Sequence, residues 1–134
     1  MTRLSTFLMF VGERNGKAEE AMNFYVSKFQ NSRIEEVKRW GPGASGGEGT
    51  IMHATFTLNG QSFMASDNSG PHNFNFTPST SVFVDCEDEA QIEHLFLAFL
   101  EGGHALMPLG NYGFSKQFGW VNDRFGVSWQ FNLP

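Results

Sequence analysis

The sequence predicts an α+β fold built from one repeated unit of strand, helix and three strands. Three observations lead there. A glycine-centred hairpin pattern occurs twice at an offset of 66 residues, with Gly60 matching Gly126, Ser62 matching Ser128, Phe63 matching Trp129 and Met64 matching Gln130. Apolar residues fall at helical spacing in one stretch of each half. Fifteen Phe, three Trp and fifteen Gly in 134 residues supply bulky rings for sheets and turn formers between them.

Thr6 to Val11 (TFLMFV) is an apolar run closed by Gly12, long enough for a buried strand and too short for a helix. After a polar turn, Ala18, Ala21, Met22, Tyr25 and Phe29 recur every three or four residues, which predicts a helix over Lys17 to Gln30. Ile34 to Trp40 reads as a charged edge strand. Gly41 to Gly49 is dominated by residues that loosen structure and predicts a mobile loop. Thr50 to Leu58 and Gln61 to Ser66 alternate as two strands joined at Asn59-Gly60.

Asp67 to Pro78 has turn chemistry throughout and reads as a linker that carries Phe74 and Phe76. Ser79 to Val84 is again a short strand. The acidic residues Asp85, Glu87 and Asp88 suit the positive end of a helix, whose apolar face is Ile92, Leu95, Phe96, Phe99 and Leu100 and whose stop signal is Gly102-Gly103. Ala105 to Leu109 predicts a strand. The chain closes in a hairpin that turns through Asn122 to Gly126. Its last strand places Trp129, Phe131 and Leu133 on one side and Ser128, Gln130 and Asn132 on the other.

The halves correspond in order. Thr6 matches Ser79 at offset 73, and Ala21, Phe24, Tyr25 and Phe29 match Ile92, Leu95, Phe96 and Leu100 at offset 71. The offset narrows further to the hairpins because the first half carries the extra glycine-rich loop. The rival is a ferredoxin-like packing without duplication. By length the chain is expected to form one domain over 1–134, with modules at about 1–68 and 79–134 and a linker at about 69–78.

The net charge of −5 argues against a nucleic-acid partner or an anionic membrane surface. Cys86 is the single cysteine, so no intrachain disulfide is expected and a reducing cytoplasm is the favoured compartment. The apolar run at Phe7 to Val11 is too short for a signal-peptide core, and no stretch is long enough to span a membrane.

Three stretches carry a family resemblance: AEEAMNFY from Ala18 to Tyr25, Met52 to Phe56 with Phe63 to Asp67, and FGWVNDRFGVSW from Phe118 to Trp129. On these the chain resembles the glyoxalase/bleomycin-resistance/extradiol-dioxygenase superfamily, the vicinal oxygen chelate proteins. Within it the chain is similar to the PhnB-like branch, historically labelled as demethylubiquinone methyltransferase. The resemblance implies that each βαβββ module is a curled mixed sheet with a helix on its outer face. It also implies a homodimer and a small-molecule ligand held inside a cup. The methyltransferase label is not carried over, because no glycine-rich strand-to-helix turn of the nucleotide-cradling kind is present.

In the superfamily a divalent metal usually sits in the cup, held from the first and last strands of each module. By position those corners fall on Thr6, Met64, Ser79 and Gln130. Zinc, nickel, iron and manganese need imidazoles or carboxylates there, and a hydroxyl, a thioether and one amide do not replace them. The expectation is therefore no metal and no cofactor at these positions. His53, on a strand face with Thr55 and Thr57, is a candidate ligand contact or proton shuttle, or a structural histidine.

Asp67 and Asp123 read as turn formers. Cys86, beside acidic residues, reads as a poor nucleophile. Trp40, Phe74, Phe76, Tyr112 and Phe114 are the candidates for a ring-lined pocket or interface. Two functions follow: a small-molecule binding protein using Thr6, His53, Met64, Ser79 and Gln130, or an enzyme on a small substrate that is metal-free or recruits a metal elsewhere.

Overall fold

The computed structural model of the chain describes residues 1–44 and 47–134. The chain divides into two compact units, Met1–Asn75 and Phe76–Pro134. Each is strand, helix and three strands. The first holds β1 (Thr6–Phe10), α1 (Ala18–Lys28), β2 (Arg33–Arg39), β3 (Ile51–Leu58) and β4 (Gln61–Asp67); the second holds β5 (Val82–Asp85), α2 (Glu89–Leu100), β6 (His104–Gly110), β7 (Gln117–Asn122) and β8 (Ser128–Leu133). A short 3-10 turn at Gly12–Arg14 precedes α1 and is the one added element among the described residues.

Both sheets have the same topology, β1-β4-β3-β2 and β5-β8-β7-β6. The first and last strands of each module pair in parallel and the other neighbours are antiparallel, so each sheet is mixed. The outer pairs, β2 with β3 and β6 with β7, each carry two register shifts. An extra residue on one strand bends it and increases its twist, which curls the sheet.

One face of each sheet is covered by its helix. In the first module Leu8, Phe10, Ala54, Phe56, Phe63 and Ala65 are buried, as are Ala18, Ala21, Met22 and Tyr25 of α1. In the second, Phe99 of α2 packs its ring 4.6 Å from Trp129 and 5.2 Å from Phe131. Gly119 makes the close approach of α2 possible, because a Cβ there would lie 2.5 Å from the Phe96 ring.

One detail differs from expectation, and one falls partly outside the described residues. The strand expected over Ser79 to Val84 begins at Val82: Thr80 N–H donates to Thr77 O at 3.2 Å, and Ser81 Oγ donates to Pro78 O at 3.3 Å, so the chain is still turning at Ser79. The loop Gly41 to Gly49, expected to be mobile, includes Ser45 and Gly46, which lie outside the described residues. At its base Trp40 N–H donates to Thr50 O at 2.8 Å and Gly49 N–H to Trp40 O at 2.9 Å, extending the β2–β3 hairpin.

Candidate functional site

The sheet face opposite each helix is where the polar side chains of β4 and β8 emerge. In the second module strand register arranges this face in rows. Phe83 pairs with Gln130 and Gln130 with Trp120; Asp85 pairs with Asn132 and Asn132 with Phe118. Ser128 pairs with Asn122, and Ser81 reaches Ser128 through a hydroxyl–hydroxyl hydrogen bond of 2.6 Å. Paired residues of adjacent strands share a face, so these nine side chains stand together.

The first module repeats the rows. Ser5 and Ser62 are hydrogen-bonded at 2.6 Å and Ser62 pairs with Thr57; Phe7 pairs with Met64 and Met64 with Thr55; Met9 pairs with Ser66. The strands therefore superpose Ser5 on Ser81, Phe7 on Phe83 and Met64 on Gln130. The offset at the first strand is 76 (81 minus 5), not the 73 read from the sequence.

That shift moves two of the expected site residues. Met64 and Gln130 lie on the open faces of their sheets, and His53, paired with Lys38, lies on the face of Thr55. Thr6 pairs with Phe63, a buried residue on the helix side, and Ser79 sits in the turn before β5. The first-strand places beside Met64 and Gln130 belong instead to Ser5 with Phe7 and Ser81 with Phe83. The missed signal was the repeated Ser-x-Phe, Ser5-Thr6-Phe7 and Ser81-Val82-Phe83. A slip of three residues between short strands exchanges their faces.

The polar groups around Gln130 form one network. Gln130 Nε2 donates to Ser81 Oγ at 3.3 Å, Ser81 and Ser128 share their hydrogen bond, and Trp120 Nε1 donates to Ser128 Oγ at 2.8 Å. Every member is neutral. Phe7, Met64, Phe83 and Gln130, with the two serines, do not suit a divalent ion, which needs anionic or imidazole donors. Among the described residues no group of three His, Cys, Asp or Glu could hold a metal ion.

The two buried aspartates are structural. Asp67 Oδ1 accepts from Gly16 N–H at 2.7 Å and Ala18 N–H at 3.1 Å, and Oδ2 accepts from Ile51 N–H at 2.9 Å. Its backbone oxygen accepts from Trp40 Nε1 at 2.9 Å, so that indole is anchored at the end of β4. Asp123 Oδ1 accepts from Phe125 and Val127 N–H at 2.9 and 3.0 Å, and Oδ2 accepts from Trp129 Nε1 at 2.9 Å. Burial, reinforced by Asp85 and Asp88, pushes the Cys86 thiol up to about 11; burial ranks ahead of the acidic neighbours, the only cause visible in the sequence.

Trp40 and Phe76 are half-buried, and the other loop aromatics lie largely open. Phe74 is exposed and its ring centroid is 4.8 Å from that of His72. Tyr112 and Phe114 are exposed and gather with Phe83 around Phe118.

Comparison with known proteins agrees with this architecture. The family model described as 3-demethylubiquinone-9 3-methyltransferase matches residues 2–132. A PhnB protein structure from Bacillus cereus is 53% identical, with 99% of this chain and 100% of that chain covered and a TM-score of 0.92. The protein PA1353 from Pseudomonas aeruginosa is 30% identical over 99% and 98% of the two chains, with a TM-score of 0.82. A glyoxylase/bleomycin resistance protein/dioxygenase domain from Frankia shares the fold at 12% identity, with 99% and 95% covered and a TM-score of 0.61. No curated protein matches. With the family model spanning nearly the whole chain and a PhnB protein 53% identical over its full length, the chain belongs to the PhnB-like family described as 3-demethylubiquinone-9 3-methyltransferase.

Proposed function

We propose that the protein is a member of the glyoxalase/bleomycin-resistance superfamily, whose fold it shares, that it binds a small organic molecule on the open face of its second sheet, and that the superfamily's usual metal corners have been lost. The observation that carries this reading is the network of Gln130, Ser81, Ser128 and Trp120. It joins neutral donors and acceptors where a metal site would need charged or imidazole ligands. Such groups orient a ligand without activating it. On the first module's own open face Met64 and His53 are the candidate contacts, and Phe7 and Phe83 stand, each within its own module, where Thr6 and Ser79 were expected. A homodimer and a cytoplasmic location belong to the same reading, supported by the superfamily's habit and by the lone Cys86.

A second reading is an enzyme in which His53 moves a proton. It is favoured by the position of His53 on the open face, where no hydrogen bond within the protein engages the ring among the described residues. The methyl transfer in the family's description has no support in the turn entering α1, Gly12 to Lys17, which lacks a glycine-rich cofactor cradle.

The test is a thermal-shift screen of small organic compounds, followed by calorimetry with Gln130→Leu and Ser81→Ala. Stabilisation that both variants weaken, without consumption of the compound, supports the binding protein. Consumption that is lost in His53→Ala supports the enzyme, and failure of every compound to stabilise the fold overturns the binding reading.

A further inference from the structure

Phe118 stands on the open face of the second sheet and yet is only 5% exposed. What covers it is other rings. Phe114 meets it edge-on at 5.1 Å, Tyr112 edge-on at 6.3 Å, and Phe83 at 6.4 Å. Those three rings are 64%, 42% and 54% exposed, so the cluster shields its own floor and turns its outer faces to solvent.

The arrangement is held in place. Tyr112 Oη donates to Pro108 O and Gly113 N–H donates to Asn111 Oδ1, which fix the loop between β6 and β7; Phe83 is fixed by the pairing of β5 with β8. Exposed rings carried by a braced loop and a strand gain nothing for the core. They offer ring faces on which a flat molecule can stack.

The polar edge of the cluster has a defined character. In the row of Phe118 stand Asn132 and Asp85, and Asn132 Nδ2 donates to Asp85 Oδ1 at 3.0 Å. Asp85 is exposed, so its carboxylate stands open beside the rings with one oxygen held by the amide. An aromatic surface bordered by a carboxylate, which only accepts, calls for an aromatic partner whose own edge donates.

We propose that Phe83, Tyr112, Phe114 and Phe118 form a stacking subsite for a planar heteroaromatic compound carrying amino groups, with Asp85 accepting from those groups. This deepens the small-molecule reading of the same face and rests on it. A planar carboxylate of similar size would set like charge against Asp85.

The test uses proflavine, a flat diamino cation, and anthracene-9-carboxylate, a flat anion, each titrated by fluorescence and calorimetry. Proflavine is expected to bind one per chain and more tightly than the anion. Phe83→Ala, Phe114→Ala and Asp85→Ala should each weaken it by about tenfold, a change in the range of single ring and charge contacts. Leu97→Ala, on the exposed side of α2, should leave binding unchanged. The variants alter exposed side chains, and their melting curves will report any loss of fold. Equal or tighter binding of the anthracene carboxylate, proflavine binding indifferent to Phe83 and Phe114, or no proflavine binding overturns the proposal. If the compound screen still finds ligands that depend on Ser81 and Gln130, only the amino-heteroaromatic subsite falls and the binding reading stands.

Discussion

Ser81 and Ser128 share a hydroxyl–hydroxyl hydrogen bond of 2.6 Å, and Ser5 and Ser62 repeat it at 2.6 Å in the other module. Both join the first strand to the last one step before the parallel ladder begins. The duplicated plan thus extends to individual side chains, while the surroundings have diverged. The second pair also accepts the Trp120 indole and meets the Gln130 amide. The first pair meets the guanidinium of Arg3, whose Nε donates to Ser62 Oγ at 3.2 Å.

The two pairs should differ in their weight. Ser128 is buried, and Ser128→Ala removes the acceptor of the Trp120 N–H, at a cost of about 1–2 kcal/mol. Ser5 is exposed, and Ser5→Ala should stay within about 0.5 kcal/mol. Urea unfolding of the two variants measures both, and equal costs would show that the second network is not a connected unit.

Asp67 serves as the missing cap of α1. The residue at the cap position, Lys17, offers no side-chain hydrogen bond, and Asp67 supplies its carboxylate to the first turn from the end of β4. Asp67→Ala leaves the N–H groups of Gly16, Ala18 and Ile51 without their acceptor and should cost about 3 kcal/mol or more. Asp67→Asn keeps one oxygen and should lose less. Chemical denaturation of both variants tests the order, which a passive turn former would not produce.

Gly119 is required for packing rather than for a turn. An added Cβ would strike Phe96, so Gly119→Ala should destabilise by about 1–3 kcal/mol. Adding Phe96→Leu should recover part of that loss. Strict additivity in the double-mutant cycle would place the effect elsewhere.

Cys86 should resist alkylation in the native protein at pH 8 and react readily in urea, because its buried thiol is pushed up to about 11. Its folded value lies above the ordinary thiol value of 9.0 that the unfolded chain would have, so the folded state binds more protons between the two. Stability from this group is complete below pH 9.0 and is lost as pH rises towards about 11. Cys86→Ser should flatten that part of the stability profile.

Periodicity made both helices and the core rings Phe63, Phe96, Phe99, Trp129 and Phe131 legible, because burial on one side imposes a spacing that survives in a single sequence. The hairpins at Gly60 and Gly126 were legible for a related reason: both glycines have positive φ, at 79° and 92°. The start of β5 was not. Ser79, Thr80 and Ser81 are alike in polarity, and only the hydrogen bonds of Thr80 and Ser81 to the preceding turn reveal where pairing can begin. Long-range roles were equally hidden. Nothing near Asp67 in sequence announces that it caps a helix 49 residues earlier.

The proposed loss of the metal corners is checked by elemental analysis of the purified protein, followed by melting with and without a chelator. The expected result is well under one divalent ion per chain and a melting temperature unchanged by chelation. One tightly held ion per chain, whose removal lowers the melting temperature and whose binding is lost in Gln130→Leu, would contradict it.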